Sequence, residues 1–551
     1  MEVRGAEERL QDLSCLALEA EELHEQGGEF DTVEADGLTL PAKLVAAGRA
    51  EEIRIFREMD VYTPIEKGAL PPGAVVIGTR WVDVNKGSKE APEVRCRLVA
   101  KEYASERRED LFAGTPSMAS VKFMLSLLAS SEGGMAPTST RMLILDIKRA
   151  FLHGRAKREL YVELPREDPR WRPNLCARLN RSMYGTRDAP QIWQEEVRNK
   201  MQSIGFVSSK VSPCVYFHKQ KGIWSLAHVD DFIAVGAKSQ LNWLREELGR
   251  TYPLKGKMLG PGSDESSEVD FLGRRIVWGS EGLKYYSDPK HIDVMLSEWG
   301  MSECRTVVSP GVKSEKSESE ERELSGSQLR RYRASAARLN YISMDRADVA
   351  FASKEIARRM SQPRESDEIP VKRVLRYLAG RRELGQVFAW QSMPSAPEVY
   401  TDSDWAGCVE TRRSTSGGVL AWGSHLLSHW SRTQANVALS SGEAELNAMV
   451  MGASELMGFI NLLKEAAVLS AETQGTLRTD SSAARGTSLR QGTGKIKHLG
   501  VKQLWIQELT ARDAISIKGV PREYNPSDVL THHWEPAAAL KHFRAMGYDL
   551  R

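Results

Sequence analysis

Several features are scarce in this chain of 551 residues, and each absence excludes a class of protein. The six cysteines lie far apart and include no CxxC pair, which argues against a zinc site or a disulfide framework and suits a reducing compartment. No apolar run approaches the roughly 18 residues that a membrane span needs, and the N-terminus is not a signal peptide. We therefore expect a cytoplasmic protein without a membrane partner.

The net charge of the whole chain is small, but one segment carries a large net charge. The net charge of the chain is +2, whereas residues 1–60 carry a net charge of −10, so the remainder carries +12. A basic body behind an acidic leader is compatible with a polyanionic partner. The length predicts two to four domains, and the charged, serine-rich residues 309–326 are the clearest linker.

Two adjacent aspartates, Asp230 and Asp231, interrupt the apolar segment SLAHVDDFIAVG (225–236). Neighbouring carboxylates repel each other, and burying one without a partner costs several kcal/mol. A polar hairpin turn is the simplest interpretation, and a divalent cation bound at the turn is the alternative. Asp146 ends an earlier apolar strand, RMLILDI (141–147), and the intervening chain is long enough for the sheet to return beside it. Three such carboxylates can converge on a pair of Mg²⁺ ions.

A second series of acids follows the linker. Each acid has an ordinary explanation, since an acid in the first turn of a helix favours the helix dipole and an Asp often caps a helix. Their order is less ordinary: one on a strand, one on a capped helix, one at a strand end and one at the start of the last helix. In sequence order they are Asp402, Glu445, Asp480 and Asp528.

Several motifs together resemble the reverse transcriptase of copia-type LTR retrotransposons, in order and in spacing. The resemblance covers roughly residues 45 to 551. The four motifs are DIKRAFLHG (146–154), LNRSMYGTRDAPQIW (179–193), HVDDFIAVG (228–236) and FLGRRI (271–276). Upstream segments resemble the fingers of that family, and YRASAARLNYISMDRADVAFASKEIARRM resembles its thumb-to-connection region.

The resemblance implies roles for individual residues of the first half. It implies an RNA template, a DNA primer and deoxynucleoside triphosphates as partners, with Mg²⁺ as cofactor, two ions per site, and Mn²⁺ as an alternative. The implied metal ligands are Asp146, Asp230 and Asp231. The implied nucleotide-binding residues are Phe151 as a steric gate, the backbone of Ile147, Gly185, Arg95, Arg97 and Lys101. Core packing for Phe151, and a solvated strand face for the three cations, are the alternatives.

The second half resembles the copia-type version of the ribonuclease H fold, through DSDWAG, RRSTSGG, SHWSRTQANVALSSGEAEL and KIKHLGVKQLWIQEL. Glu445 is preferred to Glu443 because it precedes LNA, and Asp404 is the bystander of the first pair. The resemblance implies that an RNA–DNA hybrid is the substrate. Arg412 and Arg413, with Ser414 and Thr415, form a basic and hydroxyl-bearing loop that is expected to hold backbone phosphates. The implied ligands for two Mg²⁺ ions are Asp402, Glu445, Asp480 and Asp528.

The predicted fold class is α+β and multidomain: a right-hand polymerase palm and fingers with a helical thumb or connection, followed by an α/β ribonuclease H-like domain. The predicted domains are an acidic leader (1–44), fingers and palm (45–305), linker and thumb or connection (306–392) and ribonuclease H-like domain (393–551). The predicted function is RNA-directed DNA synthesis coupled to degradation of the RNA template. A virus-like particle or the nucleus are alternative locations, and the oligomeric state stays open.

Two other functions stay open. The chain departs from the family pattern at His228, where an aromatic residue is more usual, and at SDVLTHHW, and no protease or integrase sequence is visible. These departures suit a catalytically weak or dead relic that binds nucleic acid, although all seven implied carboxylates are present. An unrelated two-metal nuclease or cyclase does not explain the order of motifs in both halves. A processed product, a truncated copy and a domesticated gene all stay open.

Overall fold

The computed structural model describes residues 40–88, 91–103, 111, 113–131, 133–313, 322–466, 468–470, 472–494 and 497–550. All but the last five residues of the predicted acidic leader, 1–44, lie outside the described residues. The central part of the predicted linker, residues 314–321, also lies outside them.

The described part of the chain contains both helices and strands throughout its length. The α-helices are α1 (Ala42–Glu58), α2 (Met118–Leu128), α3 (Ala189–Ser203), α4 (Lys238–Gly249), α5 (Lys290–Glu298), α6 (Gly326–Ser343), α7 (Ala350–Ala357), α8 (Glu368–Ala379), α9 (Ser441–Glu465), α10 (Ser482–Ser488), α11 (Val501–Ala511) and α12 (Pro536–Ala545). The strands are β1 (Tyr62–Glu66), β2 (Val76–Ile77), β3 (Thr79–Asn85), β4 (Val94–Ala100), β5 (Ser130–Ser131), β6 (Thr140–Ile147), β7 (Tyr161–Val162), β8 (Leu175–Leu179), β9 (Val207–Ser208), β10 (Val215–His218), β11 (Ile223–His228), β12 (Asp231–Ala237), β13 (Leu254–Leu259), β14 (Glu268–Phe271), β15 (Arg274–Trp278), β16 (Gly282–Tyr286), β17 (Gln386–Ala389), β18 (Gln391–Ser392), β19 (Pro397–Ser403), β20 (Thr415–Trp422), β21 (His425–Thr433), β22 (Gly475–Thr479) and β23 (Ile515–Gly519).

The N-terminal part consists of a small sheet and a separate hairpin. The sheet has the strand order β1-β8-β7-β2. The sequence predicts two strands around the turn NKGSKEAPE (85–93). The hairpin β3–β4 confirms them, with Thr79 paired with Ala100 at its base and Asn85 with Val94 at its tip. Helix α1 packs against β4, with Ile53 and Phe56 in the shared core.

A six-stranded sheet, here called the central sheet, has the order β13-β6-β12-β11-β10-β9. Side chains alternate between the two faces of a strand. Along β6, Met142 therefore faces the core that includes α2, whereas Leu143 and Leu145 face the core that includes α3 and α4. Because both faces are covered, β6 is apolar without alternation until Asp146, which is exposed.

The middle of the chain forms a four-stranded antiparallel sheet, β14-β15-β16-β17, and a group of helices, α5 to α8. The helices share a core that includes Ile292, Leu339, Ile356 and Leu375. Residues of α12 at the C-terminus join the same core. The chain therefore returns at its end to the helices that precede the last sheet.

The last sheet, here called the C-terminal sheet, has the strand order β21-β20-β19-β22-β23. Strands β19, β20 and β21 form an antiparallel meander, and β22 and β23 run parallel to β19. Helix α9 crosses β19, and Gly452 permits the close contact because a Cβ there would lie 2.4 Å from Thr401 Cγ2. This topology places the ends of β19 and β22 next to each other, with α9 alongside.

Helix α9 is long and apolar enough to cross a membrane by length and composition. This corrects the expectation that no segment approaches that length and apolarity. One face of the helix packs inside the protein, where residues such as Leu446, Met449, Leu456 and Ile460 are buried. Its apolar character is accounted for by its place in the core of the C-terminal sheet.

Helix α2 joins the central and C-terminal sheets. The Phe123 ring lies 5.1 Å from the Trp224 ring of the central sheet, 5.6 Å from the Trp422 ring and 5.3 Å from the Phe459 ring. The sequence SMASVKFMLSLLASSEGG (117–134) predicts a helix that ends at glycine, but the helix stops earlier, at Leu128. The chain leaves the helix there so that β5 can pair with β18.

Candidate active sites

The first group of carboxylates lies at the end of the central sheet, where β6 meets the β11–β12 hairpin. Asp146 lies directly opposite Asp231 in the β6–β12 ladder. Directly opposite residues point to the same face, with Cβ atoms about 4.5–5.5 Å apart. Asp230 occupies the turn immediately before Asp231. Asp146 and the adjacent pair Asp230–Asp231, which are far apart in sequence, thus share one end of the sheet.

The turn that carries Asp230 is strained and is held by two hydrogen bonds. Val229 has a φ of 51°, and a β-branched residue in the left-handed region is unfavourable. The Trp193 indole N–H donates to the Val229 carbonyl at 2.5 Å, and the Ile147 N–H donates to the Asp230 carbonyl at 2.8 Å. These contacts fix the turn over the end of β6.

The first group is electrostatically unfavourable without a cation. Burial raises the pKa of Asp231 to about 7, and repulsion from Asp230 and Asp146 adds to the rise. Burial also raises the pKa of Asp230. An all-carboxylate donor set suits Mg²⁺, and a bound cation would remove the repulsion. Among the described residues, however, these three do not form a set of ligand atoms that all lie within 4.8 Å of one another.

Three of the residues implied in nucleotide binding lie beside this group. Phe151 is half-buried in the turn Ala150–His153 and packs edge-on against Tyr184, with ring centroids 5.8 Å apart. The Arg97 guanidinium lies 5.3 Å from the same Tyr184 ring. Arg97 and Arg95 both oppose the rise in the pKa of Asp230, so their charges face the carboxylates.

Two other implied residues are placed differently. The side chain of Ile147 is buried and its N–H is bonded to Asp230, so that N–H is not free for a phosphate and instead positions a carboxylate. Lys101 is exposed beside Gly78, close to the Glu163 carboxylate. Within the described residues, Lys101 makes no hydrogen bond or ion pair with the three aspartates.

Gly185 fixes the segment before α3 against β4. It has a φ of 81°, and a Cβ there would lie 2.1 Å from the Ala100 carbonyl oxygen. The Ala100 N–H also donates to the Tyr184 carbonyl at 2.8 Å. Close packing of backbone on backbone, rather than contact with a ligand, is therefore sufficient to require glycine at this position.

We expect Gly185→Ala to lower the free energy of unfolding by about 2–4 kcal/mol, because the left-handed conformation and the clash with Ala100 both add a cost. Urea denaturation measures the loss. Gly222→Ala is the matched control: Gly222 has a φ of 61° and nothing within 4 Å of a Cβ, so only the conformational cost of about 1 kcal/mol should appear. Equal losses in the two variants would contradict the packing argument.

The second group of carboxylates lies at the edge of the C-terminal sheet. Asp402 is on β19, Asp480 directly follows β22, and Glu445 is on the second turn of α9. One ligand atom from each of the three lies within 4.8 Å of the other two. The parallel pairing of β19 with β22 brings the aspartates together, and α9 brings the glutamate.

Burial and repulsion make this group favour a cation. Burial raises the pKa of Glu445 to about 9, and Asp402 and Asp480 add to the rise. Burial raises the pKa of Asp402 to about 7 and also raises the pKa of Asp480. Buried oxygens of Glu445 and Asp480 have no hydrogen-bond partner among the described residues. Unpartnered carboxylate oxygens facing one another are the donors that Mg²⁺ requires.

Asp528 is adjacent to the group but is engaged otherwise. It begins a single 3₁₀ turn, Asp528–Leu530, so the prediction that it starts the last helix is wrong. The proline of NPSD precedes the turn, and α12 begins later, at Pro536. Arg522 Nε donates to Asp528 at 3.2 Å. Asp528 still raises the pKa of Asp402, so its charge reaches the group.

Glu443 and Asp404, the neighbours that the sequence analysis set aside, have structural contacts. Glu443 accepts hydrogen bonds from the Leu439 N–H and from His498 Nε2, both at 2.9 Å, and Ser440 caps the helix as predicted. Asp404 accepts a hydrogen bond from the Thr415 N–H. Each holds a loop next to the group.

Arg412 and Arg413 lie in the loop between β19 and β20, which starts just after Asp402. Both are exposed, and their side chains make no hydrogen bond or ion pair with the described residues. The loop therefore places two cations, unpaired among the described residues, at the end of the sheet that carries the second group.

Sequence reasoning missed several residues at both sites. Thr531 Oγ1 donates to Asp402 at 2.5 Å, and Trp193 supports the strained turn at Val229. Lys255 on β13 lies directly opposite Asp146 on the side away from Asp231. The pattern LKGKML indicates an exposed strand edge, but only the register shows which lysine meets the carboxylate.

We expect the stability difference between Glu445→Gln and the wild type, measured without divalent ions, to grow in favour of the variant as pH rises. The folded pKa of Glu445 is raised to about 9 from an ordinary 4.5, so the folded state binds a proton that the unfolded state releases. That contribution is complete below about pH 4.5 and is lost as pH rises to about 9, an effect of about 1–3 kcal/mol. Thermal unfolding of both proteins in EDTA across this range measures it, and a constant difference would contradict the assignment.

The chain is similar to a known protein family and to several known proteins. Residues 60–313 match the family described as "Reverse transcriptase (RNA-dependent DNA polymerase)". The "Retrovirus-related Pol polyprotein from transposon TNT 1-94" of Nicotiana tabacum is 28% identical over 499 residues, covering 87% of this chain and 36% of that protein. The corresponding polyprotein from transposon RE1 of Arabidopsis thaliana is 27% identical over 479 residues, covering 84% of this chain and 31% of that protein.

The chain thus spans about a third of the length of these curated relatives. Among solved structures, a foamy viral protease-reverse transcriptase in complex with an RNA/DNA hybrid aligns with 90% of this chain and 56% of that chain. Its TM-score is 0.47 at 12% sequence identity, which is too low for the likeness to carry an argument.

Proposed function

Because this chain belongs to the copia-type retrotransposon polyproteins, we propose that it is an RNA-directed DNA polymerase with a fused ribonuclease H. In this proposal the chain extends a DNA primer on an RNA template and then degrades the RNA of the resulting hybrid. The observation that carries the proposal is the pairing of Asp146 opposite Asp231 beside Asp230, inside the segment that matches the reverse transcriptase family.

In the polymerase reaction the protein positions two reactants, the DNA primer and the incoming nucleotide. The 3′-hydroxyl of the primer attacks the α-phosphate of an incoming nucleotide, and pyrophosphate leaves. Arg95 and Arg97, whose charges face Asp230, bind the triphosphate in this proposal, as cations near transferred phosphates are expected to do. Phe151, held edge-on by Tyr184, lies under the sugar and rejects a 2′-hydroxyl.

A Mg²⁺ pair held by Asp146, Asp230 and Asp231 would activate the 3′-hydroxyl and neutralise the leaving pyrophosphate. The raised pKa values of Asp230 and Asp231 support a bound cation, since the same repulsion would otherwise be uncompensated. Mn²⁺ offers the same oxygen-ligand chemistry and is the alternative ion.

The nuclease half of the proposal has its own support. The sheet order β21-β20-β19-β22-β23, with three antiparallel and two parallel strands, supports the assignment of a ribonuclease H-like domain. Asp402, Glu445 and Asp480 are the carboxylates that would hold Mg²⁺ there, with Asp528 as a fourth ligand if Arg522 releases it. Thr531 orients Asp402 through its hydroxyl, leaving the other carboxylate oxygen for the cation. A bound Mg²⁺ would activate a water for attack on the phosphodiester of the RNA strand.

The test is extension of a labelled DNA primer on an RNA template by the full chain with Mg²⁺ and deoxynucleoside triphosphates, followed by cleavage of a labelled RNA strand in a hybrid. Extension and cleavage together support the proposal. Neither activity, with hybrid binding intact, would refute the enzyme and leave a nucleic-acid-binding relic. Extension without cleavage would refute the nuclease half alone.

A further inference from the structure

A rigid, exposed aromatic ring stands beside the second carboxylate group. The Trp405 side chain is 56% exposed, three residues after Asp402. Its indole N–H donates to the Ala438 carbonyl at 3.1 Å. This bond joins the loop between β19 and β20 to the segment that leads into α9 and to Glu445. The ring is therefore fixed between the two chain segments that supply carboxylates.

The backbone on either side of Trp405 is specifically shaped. Ala406 has a φ of 54° and its N–H donates to the buried Ser414 hydroxyl at 3.0 Å. Arg412 has a φ of 56° and its N–H donates to the Cys408 carbonyl at 2.8 Å. Two non-glycine residues with positive φ in one loop carry a conformational cost, and the hydrogen bonds that hold them keep the ring turned outwards.

The loop that carries Trp405, and the segment bonded to it, also present apolar and positively charged side chains. Val409 is 73% exposed and Leu439 is 67% exposed. The loop's acid Glu410 is paired with Arg359 at 2.6 Å, whereas Arg412 and Arg413 are exposed and their side chains make no hydrogen bond or ion pair with the described residues. Apolar surface next to uncompensated cations complements a polyanion that also has apolar faces, which is the chemistry of a sugar–phosphate backbone.

We propose that Trp405, together with Arg412 and Arg413, forms a contact surface for the RNA–DNA hybrid beside the second carboxylate group. The Trp405 ring packs on the sugar rings of one strand, and the two arginines hold its phosphates. The surface positions the hybrid for cleavage. This inference rests on the proposed nuclease function, to which it adds the residues that hold the substrate.

The test separates the apolar contribution from the charged one. Binding of a fluorescent RNA–DNA hybrid to the full chain is measured by anisotropy without divalent ions, across a salt series. We expect Trp405→Ala to weaken binding by about tenfold at every salt concentration, with Trp405→Phe within about twofold of the wild type. Arg412→Gln/Arg413→Gln should lower the slope of log affinity against log salt by about 2, because each neutralised phosphate contributes about 0.9.

Ile369→Ala is the control, because Ile369 is at least as exposed, at 67% against 56% for Trp405, but lies on α8. Trp405→Leu keeps most of the side-chain volume, so thermal unfolding of that variant separates loss of contact from loss of folding. Unchanged affinity in Trp405→Ala and Trp405→Leu would overturn the inference. Reduced self-association in Trp405→Ala, with hybrid affinity unchanged, would also overturn it and assign the patch to a second copy of the chain.

The two proposals fail separately. If the wild type binds the hybrid with the expected dependence on Trp405 but does not cleave it with Mg²⁺, the nuclease function fails and the contact surface stands. If the wild type cleaves the hybrid and Trp405→Ala binds and cleaves it equally well, the contact surface fails and the nuclease function stands.

Discussion

Replacing Asp231 with Asn is expected to reduce DNA primer extension on an RNA template by about 10³-fold or more, because a lost carboxylate ligand removes several kcal/mol of charge stabilisation from the transition state. Asp231 lies opposite Asp146 and is half-buried next to Asp230. The amide has the same shape and no charge, so the hairpin should persist. Single-turnover extension with saturating primer and template measures the chemical step.

The thermal stability of Asp231→Asn should not fall together with its activity. The pKa of Asp231 is raised to about 7 by burial and by its neighbours, so replacing the carboxylate with an amide removes repulsion and should leave the Tm unchanged or raise it. Asp270→Asn is the matched control, since Asp270 is an exposed aspartate on β14. The variant should also retain RNA cleavage at the other site. Extension within tenfold of the wild type would refute Asp231 as a metal ligand.

The sequence identified acids that the structure brings together, but not the contacts that hold them. Asp146 and the Asp230–Asp231 pair were identifiable because carboxylates interrupt strands that are apolar on both faces. The register that sets Asp146 between Asp231 and Lys255 depends on pairing between segments more than 80 residues apart. No local pattern contains that information, so Lys255 was missed.

Distant contacts also determine where some secondary-structure elements end. Helix propensity continues past Leu128 towards the glycines, yet the chain turns there because β5 pairs with β18, more than 250 residues later. Similarly, Asp528 has the sequence context of a helix cap, but Asn525 is tied to the Thr401 carbonyl and the segment forms only one 3₁₀ turn. In both places tertiary contacts override local preference.

The packing of α2 between the two sheets could likewise not be predicted from the sequence. Its apolar residues predicted a buried helix, but not that Phe123 contacts Trp422 and Phe459 of the C-terminal part. Ser126 also hydrogen-bonds His425 Nδ1 at 2.8 Å. The polymerase and nuclease halves of the proposal therefore share a core, and the separation of their activities has to be tested with substitutions at the carboxylates rather than by cutting the chain.

The substitution Glu445→Gln tests whether the nuclease activity can be removed while the polymerase activity is kept. Glu445 contributes the only α9 oxygen in the group with Asp402 and Asp480 among the described residues. Its pKa is raised to about 9 by burial and by those neighbours, so near neutral pH the metal-free site binds a proton that Mg²⁺ must displace. We expect the variant to cleave the RNA of a hybrid about 10³-fold more slowly or worse, with primer extension retained.

Glu443→Gln is the matched control for that loss, because it makes the same chemical change two residues earlier on the same helix. Glu443 bonds the Leu439 N–H and His498, so its loss should cost about 1 kcal/mol of stability through the helix cap and leave cleavage near the wild-type rate. If Glu443→Gln abolished cleavage and Glu445→Gln did not, the choice of ligand from the LNA motif would be wrong. Cleavage that was insensitive to both would mean that Asp402 and Asp480 hold the cation without α9, and the unpartnered oxygen of Glu445 would then need another explanation.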